Sequence, residues 1–483
     1  MGPSTKKYAA IYLLSIVAFA AALWGVLGAG QRMFGAAAGE VAPTAPFDPI
    51  DSLVHSFHDP VGRLLLQLLV IVGVARGMAL LFRKLGQPAV IGEMFAGLML
   101  GPSILGALSP EFTAFVFPAE SMGALKLLSQ IGVILFMFVV GMELDSQMVR
   151  GNAAPAVMVS HIGILFPFIL GASTALFLYD DYAGENTSFV AFCLFMGISM
   201  SITAFPVLAR ILQERRLATT ALGTTAIACA AVDDVTAWCG LAFVVAITKS
   251  AGWVGAAWTV ALSLATAFTV LVVVRPTLAY AMRSVRNPAT PGPNITTLCL
   301  LTLFSCALAT ELIGIHALFG AFLAGVAMPK NPEFRHRLRE RLEYFSSLFL
   351  LPIFFAFTGL RTQLNFFDDP KAIGVCALII GVAVLGKLGG GAAAARLTGQ
   401  SWRDSLGLGV LMNTRGLMEL IALNLAYDLG VLSAEIFAML VVMALVTTFS
   451  TGPLLSLLGY RQGPTTRVDP SNRPNEVYNS GNR

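Results

Sequence analysis

Long apolar stretches, each about 20 residues and separated by short polar clusters, run along most of the chain. They are continuous and lack the period-2 alternation of barrel strands, so the pattern predicts helices that satisfy their own backbone polar groups in lipid. One apolar stretch covers about 8–30. Thirteen more follow at about 62–82, 88–108, 123–142, 156–178, 187–212, 217–248, 254–282, 295–313, 316–329, 344–360, 371–397, 404–427 and 433–458. The expected fold class is an all-α polytopic membrane protein with thirteen transmembrane helices. The stretch at 8–30 adds either an extra helix or a signal peptide, because Lys6-Lys7 before it and Leu27-Gly28-Ala29-Gly30 at its end fit both. Residues 1–61 thus read as an N-terminal apolar segment and an external linker with Pro43, Pro46 and Pro49. Residues 459–483, rich in Arg, Asn and Pro, read as a disordered cytoplasmic tail.

Composition agrees with this pattern. Of 483 residues 56% are hydrophobic and 12% charged, far too few charges to cover a soluble protein of this length. The net charge of +4 comes without a basic cluster on a soluble face, so no nucleic-acid partner is expected. The positions of the cations matter more than their number. Alternate loops hold Arg83/Lys84, Arg150, Arg210/Arg215/Arg216, Arg283/Arg286, Lys330/Arg335/Arg337/Arg339/Arg341 and Arg396/Arg403, whereas 109–122, 179–186 and 428–432 contain no Lys or Arg. The positive-inside rule places the first set in the cytoplasm. The expected location is therefore the cell (inner) membrane, with the N-terminus of the first span outside and the tail inside. Cys193, Cys229, Cys239, Cys299, Cys306 and Cys376 all lie in apolar runs without CxxC spacing, which reads as small buried side chains rather than a metal or disulfide framework.

The chain also repeats itself. Gly92-Glu93-Met94-Phe95-Ala96-Gly97 returns as Gly320-Ala321-Phe322-Leu323-Ala324-Gly325, each followed by a proline, Pro102 and Pro329. The run Leu135–Gly141 returns as Ile353–Gly359. Met200-Ser201-Ile202-Thr203 resembles Met412-Asn413-Thr414, and Val232-Asp233-Asp234-Val235-Thr236 falls opposite Val446-Thr447-Thr448-Phe449-Ser450. Each match is weak alone, but four in one order indicate a repeat. Two six-span repeats, 62–248 and 295–458, flank a linking helix at 254–282. The single intervening span makes them enter the membrane from opposite sides, the inverted topology of transporters.

Three Asp-Asp pairs occur. Asp180-Asp181 and Asp368-Asp369 fall in loops, where solvated charge explains them. Asp233-Asp234 lies inside an apolar run, where a carboxylate must face a partner or water. Successive helical residues point about 100° apart, so the two acids can serve different neighbours. An acid in such a place can hold a proton or a metal cation but not both, and that competition suffices for exchange. Lys387, too central in its span to snorkel, needs a carboxylate, and the pair is the candidate. Residues 197–209 combine Ser201 and Thr203 with Pro206, and the matching 411–419 contains Asn413, Thr414, Arg415, Gly416 and Glu419. Polar, Pro/Gly-broken spans in corresponding positions point to a mid-membrane binding site. Unwound carbonyls there would ligate a cation, Thr203, Asn413 and Thr414 could add oxygens, and Arg415 could offset carbonyl ends and pair with Glu419 one turn on. Arg76 and Glu93, on consecutive antiparallel spans, read as a structural ion pair. His161 and His316 read as ordinary polar contacts or pH sensors.

Gln87-Pro88-Ala89-Val90-Ile91-Gly92-Glu93 with Leu100-Gly101-Pro102-Ser103, the run 201–210, Ala231-Val232-Asp233-Asp234 and Leu411-Met412-Asn413-Thr414-Arg415-Gly416 resemble the monovalent cation:proton antiporter-2 family, most nearly the relatives of plant cation/H+ exchangers. The resemblance covers about 62–458. It implies the fold of sodium/proton antiporters, with two crossed broken helices at 187–212 and 404–427. It also implies a core of spans 4–6 and 11–13 moving against a dimer panel of spans 1–3 and 8–10. It implies that Asp234 binds the cation or proton, with Na+ or K+ as the metal, and that Asp233 pairs with Lys387. Plant exchangers of this kind carry Asn before the aspartate, so Asp233 leaves Na+ and K+ both open. The expected function is antiport of a monovalent cation against H+ by a homodimer in the lipid bilayer, with no cofactor and no enzymatic activity. A cation channel or an organic-anion symporter on the same fold is the alternative. A channel does not need inverted repeats or proton-competent acids, and an anion site would favour neutral or cationic residues.

Overall fold

The structure is a computed structural model. It describes residues 59–143, 153–185, 187–249, 253–283, 292–329 and 331–460, together with Ala21, Ala22, Trp24 and Gly25. The expectations for the N-terminal apolar stretch, the 31–61 linker and nearly all of the tail lie outside the described residues. From Arg63 onward the chain packs as one unit.

The described residues of this unit are helical almost throughout. In chain order the main helices are α1 (Pro60–Lys84), α2 (Ala89–Leu100), α3 (Met122–Glu143), α4 (Ala153–Tyr182), α5 (Phe189–Ser201), α6 (Phe205–Glu214), α7 (Ala221–Lys249) and α8 (Trp253–Thr269). They continue with α9 (Pro293–Ile313), α10 (Ala317–Ala327), α11 (Pro332–Phe345), α12 (Leu351–Leu360), α13 (Pro370–Val384), α14 (Gly390–Leu397), α15 (Trp402–Met412), α16 (Leu417–Asp428) and α17 (Ala434–Leu457). Among the described residues eleven helical segments are long and apolar enough to cross a membrane, and the bent pair α15–α16, taken as one span, makes a twelfth. The expected span at 316–329 is the eleven-residue α10, which at about 1.5 Å per residue does not cross the hydrocarbon by itself.

The helices sort into two sets by what they touch. α4 packs along α5, α7, α13 and α14, α14 packs on α15, and α17 joins α13 and α16. In the other set α2 packs on α12, α3 on α10 and α12, and α9 on α10. Small residues bring the second set into backbone contact: a side chain at Gly97 would strike the Phe355 carbonyl, and one at Gly141 the Phe322 carbonyl. Dispersion at such close approach, rather than hydrophobic burial, is what lipid leaves available to hold helices together. Position follows from exposure. The best apolar window of 257–282 is 6% buried and that of 189–214 is 72% buried, which puts α8 at the lipid face and α5–α6 in the interior.

One end of the molecule ties the two sets together with charge. Asp428, closing α16, pairs with Arg361 just after α12 at 2.5 Å and with Lys126 of α3 at 3.3 Å. Asn424 accepts from Arg361 at 3.2 Å and donates to the Thr358 hydroxyl at 2.8 Å. A cavity of about 40 Å³ lies beside this cluster, lined in part by Ser129, Gln130 and His316. At that same end Gly184 donates to the Val431 carbonyl at 3.0 Å, joining α4 to the turn after α16.

Candidate ion and proton site

Two interrupted helices build the centre. α5 stops at Ser201, Ile202 and Ala204 are extended, and α6 starts at Phe205. Pro206 in the first turn of α6 has no N–H to offer a preceding turn, so it suits a helix start and not a helix interior. In the second half α15 ends at Met412 and α16 begins at Leu417, the two axes bent by 43°. The breaks bind each other. The Ala204 N–H donates to the Thr414 carbonyl at 2.9 Å, and the Thr203 hydroxyl donates to the Met412 carbonyl at 2.9 Å. Buried unwound backbone is tolerable in a membrane only with partners of this kind.

Arg415 completes the junction from full burial. Its guanidinium donates to the Ser199 and Met200 carbonyls at 2.7 and 2.8 Å, the last turn of α5, where the helix dipole concentrates negative charge. It also lies 3.2 Å from Glu419. The Arg415 N–H donates to the Thr448 hydroxyl at 2.9 Å, and that hydroxyl donates back to the Arg415 carbonyl at 2.8 Å. Thr414 stands 3.5 Å from Thr451, one turn further along α17.

The acids come from α7. Asp233 accepts from the Lys387 ammonium at 2.9 Å, with both side chains at 0% exposure. Lys387 sits in a π turn, Leu385–Gly389, between α13 and α14. Such single-turn widenings mark functional positions because they re-aim a side chain without ending the helix. Asp234 is 2% exposed and neither of its carboxylate oxygens has a hydrogen-bond partner among the described residues. The Phe205 N–H at the start of α6 faces it without closing a hydrogen bond, and its charged neighbours are Asp233, Glu143 at the end of α3, and Lys387.

The structure thus brings together Asp233, Asp234, Lys387, Thr203, Thr414, Arg415 and Glu419 around the crossed breaks. Asn413 is also buried there, its side-chain oxygen unpartnered among the described residues. Ser201 spends its hydroxyl on the Gly197 and Ile164 carbonyls at 2.8 and 3.0 Å. Arg76 and Glu93, expected as a pair, make no direct ion pair among the described residues, although Arg76 is one of the cations around Glu93. The buried stripe of α1 runs through Gln67, Ile71, Ala75 and Ala79. Arg76, one residue off that stripe, points about 100° away and is exposed. Glu93 is buried in α2, with Arg210 of α6 as well as Arg76 and Arg83 among the cations around it. His161 bonds the Val157 carbonyl of its own helix at 2.8 Å. His316 caps α10 with a left-handed backbone, φ 88°, unusual for a residue other than glycine.

Thr448 and Thr451 were not among the expected site residues. The signal was present, since the repeat sets Thr447-Thr448 opposite Asp233-Asp234. Threonine is ordinary in a membrane helix, however, and its hydroxyl usually bonds its own turn, so its type alone carries no message.

The sequence from residue 68 to 458 matches the sodium/hydrogen exchanger transmembrane family. Antiporter NhaS4 of Synechocystis sp., described as an Na(+)/H(+) antiporter, is 43% identical over 393 residues, covering 81% of this chain and 96% of that protein. Cation/H(+) antiporter 20 of Arabidopsis thaliana is 40% identical over 405 residues, 81% of this chain and 48% of the relative, so the chain spans about half the length of that protein. Among solved structures, the sodium proton antiporter MjNhaP1 from Methanocaldococcus jannaschii at pH 8 superposes with a TM-score of 0.58 at 14% identity, covering 82% of this chain and all of that one, a likeness of fold. With the family matched over most of its length and the crossed breaks enclosing a buried acid pair, this chain belongs to the sodium/hydrogen exchanger transmembrane family.

Proposed function

We propose that the chain exchanges a monovalent cation, Na+ or K+, for H+ by alternating access, with Asp234 as the shared binding group. The observation that carries this is the contrast between two neighbouring acids. Asp233 is neutralised by Lys387 at 2.9 Å, while Asp234 has no donor on either oxygen although it is buried. An ionised carboxylate cannot remain alone in such a place, so it takes a proton or a cation. The two occupants exclude each other, and a core that carries either one, but not the bare charge, across the barrier exchanges them one for the other. NhaS4, named for Na(+)/H(+) antiport, and the Arabidopsis cation/H(+) antiporter support the same reading, as does a family of transporters rather than enzymes.

Around Asp234 the unwound segments 202–204 and 413–416, with Thr203, Asn413 and Thr414, supply oxygens for a dehydrated cation. Arg415, paired with Glu419, offsets the negative end of α5. The set built on α4, α5, α7 and α13–α17 is the moving core, and the set built on α2, α3, α9, α10 and α12 belongs to the panel, through which two copies form a homodimer. We count thirteen spans in two inverted six-span repeats, α10 taking part as a short member, with the tail on the cytoplasmic side of the inner membrane. Two protons exchange per cation where Asp233 or Lys387 titrates together with Asp234.

Dye-reported proton movement in inverted vesicles, with Na+, K+ and Li+ added in turn, tests the reading and identifies the ion. Asp234→Asn is expected to abolish exchange with every ion while the protein still inserts. Wild-type exchange by this variant would remove Asp234 from the site. Exchange rates that ignore an imposed membrane potential would exclude the two-proton ratio.

A further inference from the structure

The helix α11 has two faces with different duties. Phe334 and Leu338 are buried, and the arginines beside them are committed to the protein. Arg335 donates to the Met142, Met328 and Pro329 carbonyls at 3.0, 3.0 and 3.1 Å, closing the ends of α3 and α10. Arg339 pairs with Glu143 at 3.2 Å and Glu343 at 2.8 Å. On the outer face His336 and Glu340 pair with each other at 3.1 Å. That leaves Arg337 and Arg341, one turn apart and exposed, with no ion pair or hydrogen bond among the described residues.

The same stripe continues to Phe345, 52% exposed, with Tyr344 beside it, 71% exposed. The chain then runs without a break through a π turn at Ser346–Leu350 into α12, all within one candidate span. This continuity sets the two arginines at the start of that candidate span. The exposed Tyr344 one turn below them suits the zone between headgroups and acyl chains, where Tyr and Trp side chains concentrate. Two guanidinium groups one turn apart at that height present paired N–H donors to a phosphate.

We propose that Arg337 and Arg341 hold the headgroup phosphate of an anionic phospholipid, whose acyl chain lies along Tyr344, Phe345 and Phe349. Phe345 and Phe349 already lie together, ring centres 5.5 Å apart and tilted by 36°, a ridge for the chain to follow. A lipid seated there steadies the helix whose inner face closes the ends of α3 and α10. The site is independent of the exchanged ion, and its test does not require transport.

Purified protein in nanodiscs of phosphatidylcholine, titrated with phosphatidylglycerol, gives the measurement: lipids retained per chain by native mass spectrometry, alongside the melting temperature. Phosphatidylglycerol is expected to be retained and to raise melting. In the double variant Arg337→Gln/Arg341→Gln its affinity should fall about 30-fold, two headgroup contacts being lost, with melting in phosphatidylcholine alone unchanged. Arg337→Lys/Arg341→Lys should keep part of the effect, and Lys249→Gln, a charge lost elsewhere on the chain, should keep all of it. Equal retention by wild type and the double glutamine variant, or an equal loss in Lys249→Gln, overturns the proposal. So does a melting rise reproduced by free phosphate without lipid.

Discussion

Lys387 and Asp233 are both fully buried, and each is tolerable only because of the other. Removing one partner strands a charge. Lys387→Met is expected to cost about 3–5 kcal/mol of stability, read as a lower melting temperature in detergent. Adding Asp233→Asn should restore most of it, because no unpaired charge is left. Arg415 makes a similar point about shape. Lysine at 415 keeps the charge but cannot reach the Ser199 and Met200 carbonyls together, so Arg415→Lys should destabilise by about 1–3 kcal/mol, checked in the same melt. Side chains of this kind were legible in the sequence because an ionised residue inside an apolar run has few explanations. Arg76 shows where that logic stops: hydropathy places a residue in a span, but only packing decides which way the helix is turned, and α1 turns Arg76 outward.

At the scale of elements, the close crossings of α2 with α12 and of α3 with α10 tolerate no Cβ. Gly97→Ala would drive a methyl group into the Phe355 backbone carbonyl, whereas Gly73, with nothing near it, should accept alanine freely. Fluorescence-detected size exclusion should show the first variant lost or aggregated and the second unchanged. Span positions were legible because a stretch of apolar residues has nowhere else to go, and the breaks were legible from Pro206 and from Asn413–Gly416. The crossing itself was implied by family resemblance, and its hydrogen bonds appear only in three dimensions. The π turn at Lys387 could not be read. Leu385–Gly389 looks like any glycine-containing helix, and the close approach of Gly386 to Pro167 of α4 appears only in three dimensions. The short α10 was likewise hidden, since apolarity reports solvent preference and not where a helix stops.

For the whole molecule, the alternation of basic loops predicts sidedness. A membrane-impermeant thiol reagent should label Glu120→Cys from outside intact cells, and Glu333→Cys only after the membrane is opened. The reverse pattern would invert the topology. The cluster at Asp428 has a consequence for speed. In the proposed mechanism the core slides against the panel, and Asp428 must then part from Arg361 and Lys126. These side chains are partly exposed, at 24%, 15% and 42%, so dissolved ions can screen them. The clasp is therefore one that the solution on a single side can loosen. Inert salt such as choline chloride on that side should quicken turnover, and the same salt on the other side should not. An exchanger built this way senses the ionic strength of one compartment through its rate, separately from the ion it carries.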